Sequence, residues 1–250
     1  MKAVILAAGR GSRLGSLTNN KPKCFTKISN IRLIDWQHHA LKLAGIKKVF
    51  VITGYLEEKI IEEKYNCLSN PMWNKGNMVS SLLIALENIE PPYIISYSDI
   101  IYSYKIVQKL IHEKSDLSIS YDKDWLKLWE MRFDEPLSDA ETFDLDNNSN
   151  ILEIGGKASS VNAIKGQFMG LFKISKNARN IILNLIKSDE NIRLGYDTTK
   201  LLRRLVHEGL SIKAIPNNAG WCEIDSKNDI LVANKLVDQG RIKIPTLKKY

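Results

Sequence analysis

The chain has 250 residues, 44% of them hydrophobic, and its 36 Lys and Arg against 28 Asp and Glu give a formal net charge of +8. This length can bury one large core, and no apolar run is long enough to cross a membrane as a helix. The positive charge favours an anionic partner. Because no nucleic-acid-binding motif occurs, we expect a small phosphorylated ligand, and neither nucleic acid nor a membrane.

The three cysteines argue against two kinds of site. Cys24, Cys67 and Cys222 are far apart and form no Cys-x-x-Cys pair, so neither a zinc site nor a disulfide framework is indicated. Free thiols suit a reducing compartment, which predicts a cytoplasmic protein. The apolar run at the start is too short for a signal peptide, and Arg10 and Arg13 follow it.

Residues 3–7 are apolar and predict a buried strand that ends in a glycine-rich loop. Gly9, Gly11 and Gly15 let the backbone adopt positive φ and let a ligand approach the main-chain N–H groups. From Met1 to Ile34 there is no Asp or Glu, but there are seven Lys or Arg. Such a loop favours a polyphosphate ligand. The alternative is a glycine-rich surface turn with solvated bases.

Two common phosphate-binding motifs are excluded by spacing. The dinucleotide fingerprint requires glycine at its sixth position, where this loop has Leu14. The P-loop requires Gly-Lys followed by Ser or Thr, and no such run occurs.

After the loop, helical and strand patterns alternate. Apolar periodicity with glycine stops predicts helices over residues 31–44, 77–88, 105–113, 177–187 and 198–208, one helix shortly after Gly54, and a last helix ending at Gln239. Short apolar runs predict strands over residues 48–53, 93–99, 117–121, 151–157, 167–174 and 212–216. This alternation indicates βαβ units and a parallel sheet.

Two acidic positions follow predicted strands. Asp99 ends an apolar strand, where open α/β sheets bind ligands, and a carboxylate there suits Mg²⁺. Glu223 and Asp225 alternate, so on a strand they share one face. The alternatives are structural: Asp99 caps a turn, and Asp225-Ser226 caps the last helix.

Residues 6–14 followed by Lys21-Pro22-Lys23 resemble the signature of the nucleotidyltransferases that include sugar-phosphate nucleotidyltransferases and bacterial phosphocholine cytidylyltransferases. The resemblance covers nearly the whole chain and is sharpest at this loop, at Asp99 and at residues 221–225. It implies an α/β fold with a single Rossmann-like, three-layer domain over residues 1–250 and a mostly parallel mixed sheet. Residues 241–250 form a basic tail that we expect to be mobile.

The resemblance also implies where the nucleotide binds. Arg13 and Lys23 would contact the triphosphate and stabilise charge during catalysis. The backbone of the first loop would border the nucleotide at Ala7, Ala8, Gly9 and Gly11. Asn77 and Ser81 match the base- and ribose-binding segment, although Asn77 read alone is an ordinary helix cap.

By the same resemblance, Asp99 is a catalytic residue and a Mg²⁺ ligand. Asp225 is the second ligand, with Glu223 assisting.

Residues 122–165 are predicted to form a small acceptor-binding lobe of short strands inserted on the sheet. Acidic and aromatic groups there, including the acidic loop 134–141, suit a cationic amine. A solvated loop with core tryptophans is the alternative. Four residues are assigned to the acceptor: Arg132 and Lys157 for a carboxylate or phosphate, and Tyr196 and Asp197 by resemblance. Asp197 equally reads as a helix cap.

The implied reaction is transfer of CMP from CTP, with release of pyrophosphate. The acceptor would be of the phosphocholine, phosphoethanolamine, aminoethylphosphonate or phosphoglutamine class, for capsule or cell-surface polysaccharide modification. A homodimer is compatible with this interpretation. One alternative is a sugar-1-phosphate nucleotidyltransferase, whose acceptor requires neutral hydrogen-bonding groups. Another is a non-catalytic nucleotide-sensing module on the same fold.

Overall fold

The computed structural model describes residues 1–245. In this part of the chain, thirteen strands are formed. They are β1 (Lys2–Leu6), β2 (Lys27–Ile28), β3 (Ile31–Arg32), β4 (Lys48–Thr53), β5 (Asn66–Ser69), β6 (Tyr93–Tyr97), β7 (Ile100–Tyr102), β8 (Leu117–Asp122), β9 (Glu141–Leu145), β10 (Ile151–Lys157), β11 (Gln167–Ile174), β12 (Lys213–Asn217) and β13 (Trp221–Glu223).

The same residues form nine α-helices. They are α1 (Leu33–Leu43), α2 (Glu57–Ile61), α3 (Met78–Asn88), α4 (Tyr104–His112), α5 (Trp125–Arg132), α6 (Lys176–Ser188), α7 (Glu190–Gly195), α8 (Thr198–His207) and α9 (Lys227–Asp238). None of the helices in this range is long and apolar enough to span a membrane.

Seven strands form the central sheet, in the order β12-β8-β11-β6-β1-β4-β5. Every neighbouring pair is parallel except those of β11, which runs antiparallel to β6 and β8. The carboxyl ends of the parallel strands and the amino end of β11 therefore share one edge. The predicted mostly parallel mixed sheet is confirmed.

The sheet is covered on both faces. Ala3, Val4 and Ile5 in β1 are fully buried although neighbouring side chains in a strand point to opposite faces. Helices α1 and α4 pack against each other, and α3 packs with α6 and α7. Helices on both sides of a buried parallel sheet form the expected three layers.

Most element bounds follow the sequence. Strands β4, β10 and β11 have the predicted bounds, and the predicted helices differ from the observed ones by a few terminal residues. Strand β5 was not predicted, because this edge strand is partly exposed and shows no apolar run.

The predicted lobe of short strands over residues 122–165 is wrong in its first third. Residues 125–132 form helix α5, which buries Trp125, Leu128, Trp129 and Arg132. These positions follow helical i, i+3, i+4, i+7 spacing. The charged residue at a core position hides that pattern. Residues 141–157 form the antiparallel hairpin β9–β10, with a turn at residues 147–149.

The basic tail is partly packed. Ile242 is buried, and the N–H of Arg241 donates to the carbonyl of Leu236. The start of the predicted mobile tail is therefore held by α9. Residues 246–250, with Lys248 and Lys249, lie outside the described residues.

Candidate active site

The glycine loop after β1 holds Lys23 in place. Gly11 has φ of 67°, and a Cβ there would lie 2.6 Å from Cδ of Lys23. The absence of a side chain at Gly11 therefore makes room for the Lys23 chain. Gly9, by contrast, has no atom of another residue near its would-be Cβ, so its backbone faces open space.

Lys23 joins two acidic segments that are distant in sequence. Its buried Nζ donates to Oδ2 of Asp99 at 2.7 Å and to Oδ1 of Asp225. Burial alone would lower the pKa of Lys23, but the two carboxylates outweigh it and the pKa is raised. Lys23 is therefore fully protonated between them.

Asp99, Glu223 and Asp225 form a carboxylate triad. One oxygen of each lies within 4.8 Å of the others. Oδ1 of Asp99 is buried and has no hydrogen-bond partner among the described residues. Desolvation and the neighbouring charges of Asp225 and Asp99 outweigh the opposing effect of Arg132 and raise the pKa of Glu223 to about 8. The structure thus brings the three predicted metal ligands together.

A buried arginine supports the triad from behind. Arg132 donates through Nε to Oδ1 of Asp229 at 2.8 Å and through Nη2 to Oε2 of Glu223 at 3.1 Å. The other oxygen of Asp229 accepts the backbone N–H groups of Asp225 and Ser226 at 2.9 and 2.8 Å. One guanidinium therefore fixes Glu223 directly and the Asp225 segment through Asp229.

The structure therefore contradicts the predicted role of Arg132 in binding the acceptor. Its side chain is 1% exposed and lies between Trp129 and Phe133, with ring centroids 5.0 and 4.9 Å away. It lines neither cavity beside the triad. Arg132 was expected to bind a carboxylate or phosphate of the acceptor, but the anions it binds are the protein's own Asp229 and Glu223.

A cavity of 270 Å³, called the loop cavity here, lies between the glycine loop and the start of α3. Asn77 caps α3, since its Oδ1 accepts the N–H of Met78 at 2.7 Å, and it also lines the cavity. Ser81 is buried in the cavity wall and accepts a hydrogen bond from Asn70 at 3.0 Å. The predicted residues that line the loop cavity are Ala8, Gly9, Gly11, Arg13, Lys23, Asn77, Ser81 and Asp99.

Ala7 is buried one residue behind this wall. Trp73 and Tyr97 also line the loop cavity, although neither is among the predicted site residues. Trp73 sits in an irregular segment with no periodicity to mark it. Tyr97 precedes Asp99 at the end of β6, so its place at the ligand-binding edge was the available signal.

A second cavity of 150 Å³, called the hairpin cavity, adjoins the first and shares Arg13 and Tyr97 with it. Its acidic lining residues are Asp139, Glu141, Glu223 and Asp225, and its aromatic ones are Tyr97, Trp129, Phe168 and Trp221. Arg13 is 70% exposed and pairs with Asp225 at 2.9 Å, at the boundary of the two cavities. The triad therefore lies where the cavities meet.

The remaining predicted acceptor residues lie outside both linings. Asp197 caps α8 by accepting the N–H of Lys200 at 2.7 Å. Tyr196 is half-buried, and its carbonyl accepts the N–H of Val79. Lys157 is exposed at the end of β10, opposite Glu141. Their contacts with an acceptor stay predictions.

A larger open groove, of 1170 Å³, lies between α4 and residues 217–220 and 240–245. None of its described lining residues is a carboxylate or a predicted site residue. Size alone does not make it an active site, because the convergent ionisable groups lie at the other two cavities.

Comparison with known proteins agrees with this geometry. Residues 3–129 match the family model of the MobA-like NTP transferase domain. The chain is 39% identical to the CTP:phosphoglutamine cytidylyltransferase of Campylobacter jejuni, over 93% of this chain and 98% of the relative. It is 35% identical to the choline-phosphate cytidylyltransferase of Streptococcus pneumoniae, over 41% of this chain and 46% of that one.

Among solved structures, the inositol-1-phosphate CTP transferase of T. maritima superimposes with a TM-score of 0.75 over 97% of each chain. At 20% identity this likeness shows the fold alone. The family match over half of the chain and the identity over nearly all of it show that the chain belongs to the MobA-like NTP transferase family and is a nucleotidyltransferase.

Proposed function

We propose that the chain transfers CMP from CTP to a small phosphorylated amine or amino acid and releases pyrophosphate. The observation that carries this proposal is the position of the carboxylate triad at the meeting point of two cavities. Asp99 lines the loop cavity, and Glu223 and Asp225 line the hairpin cavity. Two substrates bound in these cavities would meet at the triad.

The loop cavity suits the nucleoside triphosphate. Its open backbone at Gly9 and its cations Arg13 and Lys23 are complementary to phosphate oxygens. Trp73 offers a ring face, and Asn77 and Ser81 offer polar groups, for a base and ribose. The names of the two relatives, both cytidylyltransferases, favour CTP over other triphosphates.

The triad fits a magnesium ion. Hard carboxylate oxygens are the ligands that Mg²⁺ prefers, and the unpartnered buried Oδ1 of Asp99 is an available donor. Asp99 and Asp225 would hold the ion, with Glu223 assisting. When bound, Mg²⁺ would neutralise charge on the phosphates of both substrates.

The transfer needs positioning and charge neutralisation more than a protein nucleophile. An oxygen of the acceptor phosphate would attack the α-phosphorus of CTP, and the bond from that phosphorus to the bridging oxygen of pyrophosphate would break. Lys23 and Arg13 would exchange their carboxylate partners for the oxygens of the transferring and leaving phosphates. The buried ion pairs of Lys23 keep this cation at the triad until CTP binds, and the exposed Arg13 pairs there with Asp225.

The hairpin cavity supports a cationic acceptor. It combines carboxylates with aromatic rings, whereas a sugar requires neutral hydrogen-bonding groups. The relatives are named for phosphoglutamine and choline phosphate. A role in capsule or cell-surface polysaccharide modification, a cytoplasmic location and a homodimer rest on the sequence alone.

Pyrophosphate release from CTP and Mg²⁺ tests the proposal. The acceptor panel contains phosphoethanolamine, phosphocholine, O-phosphoserine, aminoethylphosphonate, phosphoglutamine and glucose 1-phosphate, and UTP replaces CTP in a parallel series. We expect release with CTP and a phosphorylated amine or amino acid, and none in Asp99→Asn. Turnover of glucose 1-phosphate alone, or of UTP in preference to CTP, would contradict the proposal.

A further inference from the structure

Resting on the proposed function, we propose that Glu141 binds the ammonium group of the acceptor and selects acceptors whose nitrogen carries N–H. Glu141 opens the hairpin strand β9 and lines the hairpin cavity together with the triad residues Glu223 and Asp225. The ligand class is therefore a phosphate ester or phosphonate with a protonated primary amine, as in an aminoethyl or amino-acid group.

The carboxylate of Glu141 has no partner within the described residues. Only its backbone forms hydrogen bonds. The nearby cations are engaged or directed elsewhere: Lys200 pairs with Asp197 at 3.7 Å and Arg13 pairs with Asp225. Lys157 lies opposite in register, but forms no ion pair with Glu141. The negative charge of the Glu141 carboxylate is therefore free to pair with a ligand.

Gln167 holds Glu141 at this position. The buried Gln167 amide accepts the N–H of Glu141 through Oε1 at 3.1 Å and donates through Nε2 to its carbonyl at 2.6 Å. Gln167 is the first residue of β11 and lies opposite Asp122 in the central sheet. Glu141 is thus tied to the same sheet edge that carries Asp99, although its hairpin is separate from the sheet.

The wall beside Glu141 provides a second, independent sign of a polar ligand. Trp129 is 3% exposed and lines the cavity, and its buried Nε1 makes no hydrogen bond of normal geometry within the described residues, although the Asp139 carboxylate lies beside it. An unpaired buried donor is costly unless a ligand or water satisfies it. Asp139, on the same side, also lines the cavity and forms no ion pair in the described chain.

The titration of Glu141 agrees with this geometry. Desolvation, followed by the charges of Asp197 and Asp139, raises its pKa to about 7, and Lys200 opposes the shift only in part. The pKa of Asp139 is raised as well, with desolvation as the main cause. Carboxylates with raised pKa in a cleft are typical of ligand-binding sites, because a bound cation relieves the unfavourable charge.

A primary ammonium relieves this charge better than a quaternary one. Its N–H groups form charge-assisted hydrogen bonds with a carboxylate, whereas methyl groups keep a trimethylammonium nitrogen farther away. Ring faces alone attract either cation. The carboxylate, not the rings, is therefore the group that distinguishes the two.

The test compares phosphoethanolamine, N-acetylphosphoethanolamine and phosphocholine in the wild type, Glu141→Gln and Glu135→Gln. Glu135 is exposed in the same loop and lines neither cavity, so the same substitution there is a matched control. Pyrophosphate release gives kcat and KM with CTP saturating. Calorimetric titration of each acceptor into the enzyme measures binding independently of turnover.

We expect the wild type to prefer phosphoethanolamine over both other acceptors by about 10- to 100-fold, the range of one charged hydrogen bond. Glu141→Gln should raise KM and Kd for phosphoethanolamine by a similar factor and leave both constants for N-acetylphosphoethanolamine unchanged. Glu135→Gln should keep the wild-type constants. Wild-type preference for phosphocholine, or an equal loss for all three acceptors in Glu141→Gln, would overturn the inference.

The two proposals fail in different ways. Turnover with CTP but without dependence on the ammonium group contradicts the role of Glu141 and leaves the transferase proposal intact. Binding that depends on the ammonium group, without pyrophosphate release for any acceptor, supports the role of Glu141 and contradicts the transferase proposal.

Discussion

The loop cavity and the hairpin cavity meet at one carboxylate triad, but they differ in whether their charged side chains are paired. On the loop side, Lys23 and Arg13 are already paired with Asp99 and Asp225. On the hairpin side, the Glu141 carboxylate lines the cavity and forms no ion pair within the described residues. Paired charges are held in position before a ligand arrives. An unpaired charge is a cost in the free protein that a complementary ligand can remove.

Removing Lys23, the cation that pairs with both Asp99 and Asp225, should have the largest effect. Lys23→Ala is expected to lower kcat by about 10³- to 10⁵-fold, the range for a cation that stabilises a phosphoryl-transfer transition state. CTP binding should weaken much less, since the glycine-loop backbone remains. Steady-state kinetics and a CTP titration measure the two quantities.

Lys27→Ala is the matched control, because Lys27 is exposed in the next short strand and forms no ion pair in the described chain. Near-normal kcat in a folded Lys23→Ala protein would show that pairing with Asp99 and Asp225 is only structural.

Replacing Arg132, the buried residue that supports the triad, should have the second-largest effect. Arg132→Met leaves Asp229 and Glu223 without their shared cation, and breaking such a buried pair typically costs about 3–5 kcal/mol. We expect a lower free energy of unfolding and, because Glu223 and the Asp225 segment lose their support, weaker Mn²⁺ binding in Mg²⁺-free protein. Urea unfolding and Mn²⁺ titration by electron paramagnetic resonance measure these effects.

Lys127→Met on the same helix is the control, since Lys127 is 71% exposed and its ion pair with Asp124 spans 3.9 Å. Its stability should change by less than about 1 kcal/mol. If Arg132→Met unfolds like the wild type and binds Mn²⁺ equally well, the arginine does not support the triad.

The two sides also differ in how far sequence predicts them. Lys23 and the glycine loop are local, so their spacing carried the prediction. Asp99 and Asp225 are distant in sequence and each follows a strand, but Asp225 read alone is a helix cap, so the family resemblance was needed to predict it as a ligand.

The roles of residues near the hairpin cavity are harder to predict, because they depend on side-chain packing that no sequence pattern reveals. Arg132 carries the residue type of an anion-binding site, and only the packing of α5 against α9 reveals that its anions are Asp229 and Glu223. Glu141 is one of four acidic residues in the loop 134–141. No pattern distinguishes it, because its orientation depends on Gln167, 26 residues away.

The smallest expected effect is on the pH dependence of folding stability. It tests the unpaired charge of Glu141 directly. The folded-state pKa of Glu141, about 7, exceeds its ordinary value of 4.5. The protonated form is therefore favoured by folding, and the cost of the charge is absent at low pH and grows as pH rises from 4.5 past 7. Glu141→Gln cannot ionise and escapes this cost.

We therefore expect Glu141→Gln to match the wild type near pH 4.5 and to be more stable at pH 8, by about 1–3 kcal/mol once solvent screening is allowed for. Urea unfolding at the two pH values measures the difference. Glu135→Gln should show no such change, since Glu135 is exposed. Asp139, whose pKa is also raised, is present in all three proteins, so its contribution largely cancels. A stability difference that does not depend on pH would mean that Glu141 has a partner in the free protein. The contrast between paired and unpaired sides would then be lost.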